Sequence, residues 1–309
     1  MAPLENIRGL ADMKALVPGG RGVIGAWIIA ALMEKGYDIR AFDIRSDDAM
    51  ARRILGPRAE TVEWRNGNIA DGLAVSQAAE GCDLLVHLSA ILTPDCQADP
   101  IRGAHILVDG TLNIFEAARS HEISRVLYMS SAGVFGPEQA LTPEPTTLYG
   151  AFKLAGEGAA RAYWADHGIA SAGFRPLIVY GPGRETGMTA APSLACRAAA
   201  HGEDAVIPFS GETDFVYVTD VASAFAEAAV APFEGAHVYN ITGESATAEA
   251  FALAVENAAQ GVIVAAAGPR LPVASGMDGT SLRRDFPTVP LTTVADGIAR
   301  TIAFYREEK

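Results

Sequence analysis

The sequence has little cysteine, three in 309 residues. Cys82, Cys96 and Cys196 are odd in number and widely spaced, which fits reduced thiols better than a disulfide frame or a zinc site. Positive charge is also scarce: 24 Lys and Arg against 37 Asp and Glu give a net charge of −13, with no basic block. Nucleic acid and anionic membrane surfaces need clustered Lys and Arg, so neither is an expected partner. An anionic small ligand stays open, because a helix N-terminus can bind one locally. No apolar run is long enough to span a bilayer, and the opening "MAPLENIRGLAD" lacks the apolar stretch of a signal peptide. The expected compartment is the cytoplasm. Met13 begins "MKALV", so residues 1–12 read as an extension of an older start. The six histidines form no H-x-x-x-H pair and read as surface or packing residues; no metal is expected. Internal repeats and low-complexity tracts are missing too.

Apolar residues are plentiful, half of the chain, and predict a sizeable core. Up to residue 180, short β-rich runs alternate with helical stretches. The strand candidates are "KALV" ending at Val17, "DIRAFDI" around Asp43, "TVEWRN", "DLLVHL", "RVLYMSS", and "SAGFRPLIVY" ending at Tyr180. Helices are expected over 24–35, 72–79, 110–120 and 149–166. Continuously apolar strands separated by helices indicate βαβ units and a parallel sheet buried on both faces, an α/β, doubly wound fold. After "YGPGR" the character changes: strands shorten ("AVIPF", "HVYNITG"), Pro and Gly scatter, and the chain closes on the amphipathic "TTVADGIARTIAFYREE". Residues 13–180 are thus expected to form one domain. Residues 181–309 are expected to form a smaller α/β part that covers a substrate, with an approximate boundary and elements that can return to the first domain.

Four glycines fall within seven positions in "LVPGGRGVIG". Gly20, Gly22 and Gly25 satisfy G-x-G-x-x-G, and Gly19, Gly22 and Gly25 satisfy G-x-x-G-x-x-G. Such a loop, after a strand and opening a helix, gives a tight turn and lets backbone approach a pyrophosphate, the fingerprint of a Rossmann-type dinucleotide site. Phosphate-facing N–H groups are expected at Val23 and Ile24, in the first helical turn. Pro18 offers no N–H, but it precedes those groups at the strand exit, where a missing donor is tolerated. Asp43 lies 18 residues past Gly25 at the end of the second strand, where a carboxylate accepts from ribose hydroxyls and repels a 2′-phosphate. Arg21 and Arg45 would favour NADP if they paired with a 2′-phosphate; as solvated loop arginines they would favour neither. Asp43 outweighs them, and NAD is the expected cofactor.

"LYGAFK" puts Tyr149 and Lys153 at i and i+4, on one face of a helix. A tyrosine near pKa 10 is a poor base at neutral pH, and a neighbouring ammonium would lower it. "YMSSAGVFG" sets Ser130 and Ser131 at the C-terminal end of a strand, where ligands bind in open α/β sheets, and a hydroxyl there can orient an alcohol or carbonyl.

With these features in this order, the chain resembles the extended short-chain dehydrogenase/reductases, the NAD-dependent epimerase/dehydratase family. The resemblance runs through "LVPGGRGVIG", "AFDI", "GNIAD", "LVHLSA", "VDGTLNIFEAARS", "YMSSAGVFG", "YGAFK", "FRPLIVYGPG" and "DFVYVTDVASA", nearly the whole chain. It implies a Ser131–Tyr149–Lys153 triad, with Tyr149 as acid/base and Lys153 holding the nicotinamide ribose. It also implies that Asn68 and Ile69 flank the adenine and that Leu88, Ser89 and Ala90 line the middle of the cofactor. The family pattern has Thr at Pro18. Members acting on nucleotide sugars commonly carry Asn where Ile178 stands and Arg where Thr213 precedes Asp214, and both resemble contacts to the diphosphate. Arg184, Arg270, Arg283 or Arg284 would have to compensate. The 4,6-dehydratases have Asp-Glu where this chain has Ala132-Gly133, so dehydration is not expected. Helices 110–120 and 149–166 resemble a pair that forms a dimer interface in this family, and a homodimer is the expectation.

The leading expectation is an NAD-dependent dehydrogenase or reductase acting on a secondary alcohol or ketone, sugar-like or sugar-acid-like, with Ser131, Ile178 and Arg184 toward the substrate. The alternative enzyme is a nucleotide-sugar 4-epimerase that keeps its cofactor tightly bound. A cofactor-sensing regulator on the same scaffold would have no need of Tyr149 and Lys153.

Overall fold

Strand β1 (Lys14–Pro18) is buried from Ala15 onward, as a strand covered on both faces must be. The protein is described by a computed structural model over residues 13–271 and 275–307. From β1 the chain alternates through α1 (Val23–Glu34), β2 (Asp38–Asp43), α2 (Ala49–Leu55), β3 (Glu63–Asn66), α3 (Gly72–Ala79) and β4 (Leu84–His87). Short helices α4 (Thr93–Ala98) and α5 (Pro100–Ala104) precede α6 (Gly110–Ser120), β5 (Arg125–Met129), the long α7 (Leu148–His167) and β6 (Ala170–Pro176). There follow β7 (Ile178–Tyr180), α8 (Ala191–His201), β8 (Ala205–Ile207), β9 (Glu212–Tyr217), α9 (Val218–Val230), β10 (Ala236–Ile241) and β11 (Glu244–Thr247). The last elements are α10 (Ala248–Ala258), β12 (Val264–Ala266), α11 (Thr280–Asp285) and α12 (Val294–Arg306).

The main sheet has seven strands in the order β10-β6-β5-β4-β1-β2-β3, and every pairing within it is parallel. Ile28, Ile29 and Leu32 of α1 pack with Val221 and Phe225 of α9 on one face. Val75 of α3 and Ile114 and Phe115 of α6 fill the other, so the sheet is doubly wound. Its order reverses between β1 and β4, whose carboxyl ends therefore open a crevice.

The two halves of the chain are interleaved. β10 returns to the edge of the main sheet beside β6. The run "SAGFRPLIVY" is two strands, because Pro176, without an N–H, ends β6, and β7 leaves for a three-stranded sheet, β11-β9-β7. Under that second sheet Tyr180, Phe215, Phe251 and Ile298 form their own core. The helices expected at 72–79 and 110–120 begin and end at those residues, and the other two differ by one residue at each end.

Candidate active site

The glycine loop is shaped by close approach. Gly19 has φ +87°, and a Cβ there would sit 2.8 Å from the Leu88 carbonyl carbon and the Ser89 nitrogen. A Cβ at Gly20 would lie 2.9 Å from the Ala41 methyl, and one at Gly25 would collide with the Gly19 carbonyl oxygen. Gly22 caps α1 without a side chain, leaving Val23 and Ile24 at the start of a 12-residue helix. Pro18 is the last residue of the central strand β1, and its carbonyl accepts from the Leu88 N–H at 2.9 Å. A bare backbone cradle on a helix N-terminus fits a pyrophosphate.

Asp43 ends β2, buried at 7 % exposure. Its carboxylate accepts from the Arg21 N–H at 3.2 Å and the Arg45 N–H at 3.0 Å. Arg21 is not a solvated loop residue: it is buried, donates to the Arg45 and Arg65 carbonyls, and lies 5.3 Å from the centre of the Trp64 ring. Arg45 stays largely exposed. Asn68 lines a second cavity with Ile44, Ile101, Arg102 and His105. Ile69 does not line that cavity: its side chain faces the core, where a Cβ at Gly110 would touch it, and its carbonyl accepts from Asn113 Nδ2 at 2.9 Å. Leu88, Ser89 and Ala90 follow β4 and pass across Gly19.

The catalytic candidates meet at a cavity of about 200 Å³ lined by Ser131, Tyr149, Ile178 and Arg184. Ser131 caps the turn at 132–134, accepting from the Gly133 N–H at 3.0 Å, and its hydroxyl flanks Gly133 together with the Tyr149 ring. Thr147 caps α7 by accepting from the Gly150 N–H at 3.1 Å, which fixes where Tyr149 enters the site. Two glycines permit this contact. A Cβ at Gly150 would strike the Gly133 carbonyl, and one at Gly133 would lie 3.2 Å from Ser131 Oγ. Lys153 is buried; its Nζ donates to the Met129 carbonyl at 2.6 Å and stands 5.8 Å from the centre of the Tyr149 ring.

The electrostatics differ from the sequence expectation in one respect. Burial pushes the Tyr149 phenol above its ordinary value; the Ser131 hydrogen bond and the Arg184 charge pull it back only in part. Burial also pushes Lys153 down to about 8, against the opposing influence of Cys96 and Glu157. His87, beneath the site on β4, is driven down to about 3 by burial, with the Lys153 charge adding to the shift. It is a neutral packing residue bonded to Thr111 Oγ1 at 3.2 Å.

Sequence reasoning missed the support behind these residues. Glu157, fully buried one turn beyond Lys153, accepts from Ser130 Oγ at 2.5 Å and from Arg175 Nε at 2.7 Å. Arg175 also packs 5.0 Å from the centre of the Phe135 ring. The buried carboxylate therefore ties together α7, the end of β5 and the end of β6, and it engages the Ser130 hydroxyl. The signal available was a Glu on the inward face of the Tyr-Lys helix, facing an Arg in the next strand.

Among the described residues no group of three or more His, Cys, Asp or Glu is placed to hold a metal ion. Among them, too, no helix is long and apolar enough to cross a membrane.

A dinucleotide cradle and a Ser, Tyr, Lys cluster on one doubly wound sheet define a nucleotide-dependent enzyme class, and residues 15–242 match the NAD dependent epimerase/dehydratase family. The chain belongs to that family. It is 27 % identical to the UDP-glucose 4-epimerase of Mycolicibacterium smegmatis, across 96 % of this chain and 99 % of that one. It is 29 % identical to the 2-alkyl-3-oxoalkanoate reductase of Stenotrophomonas maltophilia, across 69 % of this chain and 64 % of the relative. The crystal structure of the Thermus thermophilus UDP-glucose 4-epimerase in complex with NAD superposes with a TM-score of 0.81 at 24 % identity, covering 95 % of this chain and 99 % of that one. The protein is an enzyme of this family and its cofactor is NAD.

Proposed function

We propose that the enzyme is a dehydrogenase/reductase that interconverts a secondary alcohol and a ketone, with Tyr149 as the acid/base. Bound NAD supplies the hydride acceptor. Tyr149 takes the hydroxyl proton in oxidation and returns it in reduction. Ser131, which lines the cavity with Tyr149, orients the reacting oxygen. Lys153 holds the cofactor ribose and keeps positive charge beneath Tyr149, which favours the phenolate. Gly19, Gly22, Val23, Ile24 and Gly25 cradle the pyrophosphate, and Asp43 accepts from the adenosine ribose. The Asn68–Ile69 and Leu88–Ala90 segments flank the remainder.

The observation that carries this reading is that Ser131 and Tyr149 line one cavity, with Lys153 Nζ 5.8 Å from the centre of the Tyr149 ring. The epimerase alternative shares that pair. It is disfavoured by Ile178 in the cavity wall and by buried, neutral Thr213 on β9, which stand where the family's nucleotide-sugar enzymes commonly carry Asn and Arg. We also assign α6 and α7 to a homodimer contact on their exposed Leu112 and Leu148, which light scattering would test. The cytoplasm is assigned on three unpaired, buried thiols.

Tyr149→Phe tests the chemistry. It should lower turnover by about 10²–10⁴-fold while leaving NADH affinity, read by fluorescence titration, near the wild-type value. Near-normal turnover by this variant would rule out the assigned acid/base.

A further inference from the structure

Arg184 enters the cavity from the loop after β7. That loop is pinned by the Gly183 N–H donating to Tyr305 Oη at 3.0 Å and by Trp27 Nε1 donating to the Pro182 carbonyl at 3.1 Å. The guanidinium donates to the Thr186 carbonyl and, at 3.4 Å, to Thr189 Oγ1. Its Nε is enclosed and has no partner among the described residues. The adjacent Glu185 is directed elsewhere, to Arg197 and Tyr305. No Asp or Glu among the described residues lines the cavity, so this cation faces it without a counter-ion. A buried donor and charge left this way are costly unless a ligand completes them.

The remainder of the cavity narrows the ligand. Leu92, Met129, Pro176, Leu177, Ile178 and Leu271 form an apolar part of the wall, beside the hydroxyl-bearing Thr93, Ser131, Thr146, Thr147, Tyr149 and Thr189. An alkyl chain can lie against that apolar part without leaving a polar group unpaired. At about 200 Å³ the cavity lies below the usual ~300–1,000 Å³ of ligand sites. Cations that could neutralise a diphosphate are committed or remote. Arg283 donates to the Thr242 and Val289 carbonyls, Arg284 pairs with Asp285, and exposed Arg270 packs on Gly211. Arg184 is the cation lining this space.

Resting on the dehydrogenase reading, we propose that the substrate is a short aliphatic hydroxy acid, or its keto acid, free of any nucleotide, with its carboxylate on Arg184. In oxidation the carbinol carbon gives up its hydrogen as hydride to NAD and the hydroxyl proton goes to Tyr149. The C–O single bond becomes a carbonyl, and one NADH and one proton are formed. Arg184 and Tyr149 line the same cavity of about 200 Å³, so a carboxylate on Arg184 shares that space with the carbon reacting at Tyr149.

The test supplies the purified enzyme and NAD with lactate, 2-hydroxybutyrate and 3-hydroxybutyrate, their methyl esters, glucuronate and UDP-glucose, and follows NADH by absorbance. UDP-galactose formation from UDP-glucose is measured alongside. At least one free aliphatic acid should be oxidised, with kcat/KM about 10- to 100-fold above its ester, the worth of one charge-assisted hydrogen bond. Arg184→Gln should raise KM for that acid by a similar factor and leave NADH affinity unchanged. Equal turnover of acid and ester, preference for glucuronate or UDP-glucose, or no turnover of any acid would overturn the proposal. If the preferred substrate is neutral or nucleotide-linked yet turnover is lost in Tyr149→Phe, the acid proposal falls and the acid/base assignment stands. If the acid is oxidised equally well by Tyr149→Phe, the reverse holds.

Discussion

The two walls of the active site are built by different means. The proposed pyrophosphate and ribose part of the cofactor wall is local: one loop of seven residues and one strand end, where the absence of side chains lets backbone come close. The catalytic and substrate wall is assembled from residues far apart in the chain, held by buried side-chain contacts such as Ser130–Glu157–Arg175. A wall made of glycine backbone is sensitive to added atoms, and a wall made of buried ion pairs is sensitive to removed ones.

The largest effect should come from removing an atom set on the second wall. Glu157→Ala leaves Arg175 and Ser130 buried without their partner, a loss of about 3–5 kcal/mol for a broken buried pair. Chemical unfolding should show it as a lower midpoint, with turnover reduced in the fraction that remains folded. A variant with wild-type stability would show that the carboxylate does not hold this wall together.

Gly22→Val makes the opposite change on the first wall. Its Cβ would lie 3.2 Å from the Gly19 carbonyl oxygen, and the branched methyls would project where the pyrophosphate is expected. NADH affinity should fall by at least about tenfold, or 1.4 kcal/mol, with the circular dichroism spectrum retained. Unchanged affinity would mean that the loop is only a turn.

Lys153 joins the two walls and gives the smallest effect. Its ammonium loses its proton near pH 8 in the fold, well below the ordinary lysine value, because burial disfavours the charge. NADH affinity should therefore be steady below that pH and decline above it, by a few-fold up to pH 10, as the neutral amine replaces the charged donor. Lys153→Met should bind NADH more weakly and flatten the profile. A wild-type profile already flat across this range would remove Lys153 from the cofactor contacts.

The same contrast explains what could be read from the sequence. The glycine loop, Asp43 and the Tyr149/Lys153 spacing follow from local periodicity and turn chemistry, and the helices expected from them start and end within one residue of those found. The split of "SAGFRPLIVY" at Leu177 was not legible. Its two halves share one apolar run, and their separation depends on β9 being available to pair with β7. Nor was the burial of Arg21, which depends on the Arg65 carbonyl and the Trp64 ring arriving from β3. The direction of the Tyr149 shift escapes the sequence because the i, i+4 spacing carries no information on the burial that raises it.

The central claim is that this enzyme carries out net oxidation or reduction and releases its cofactor. The most direct test is the amount of NADH formed per enzyme when an oxidisable substrate and excess NAD are supplied. The account predicts many equivalents, accumulating linearly with time and abolished in Tyr149→Phe. A product isomeric with its substrate, formed over many turnovers while NADH never exceeds one equivalent per chain, would contradict it and identify an epimerase.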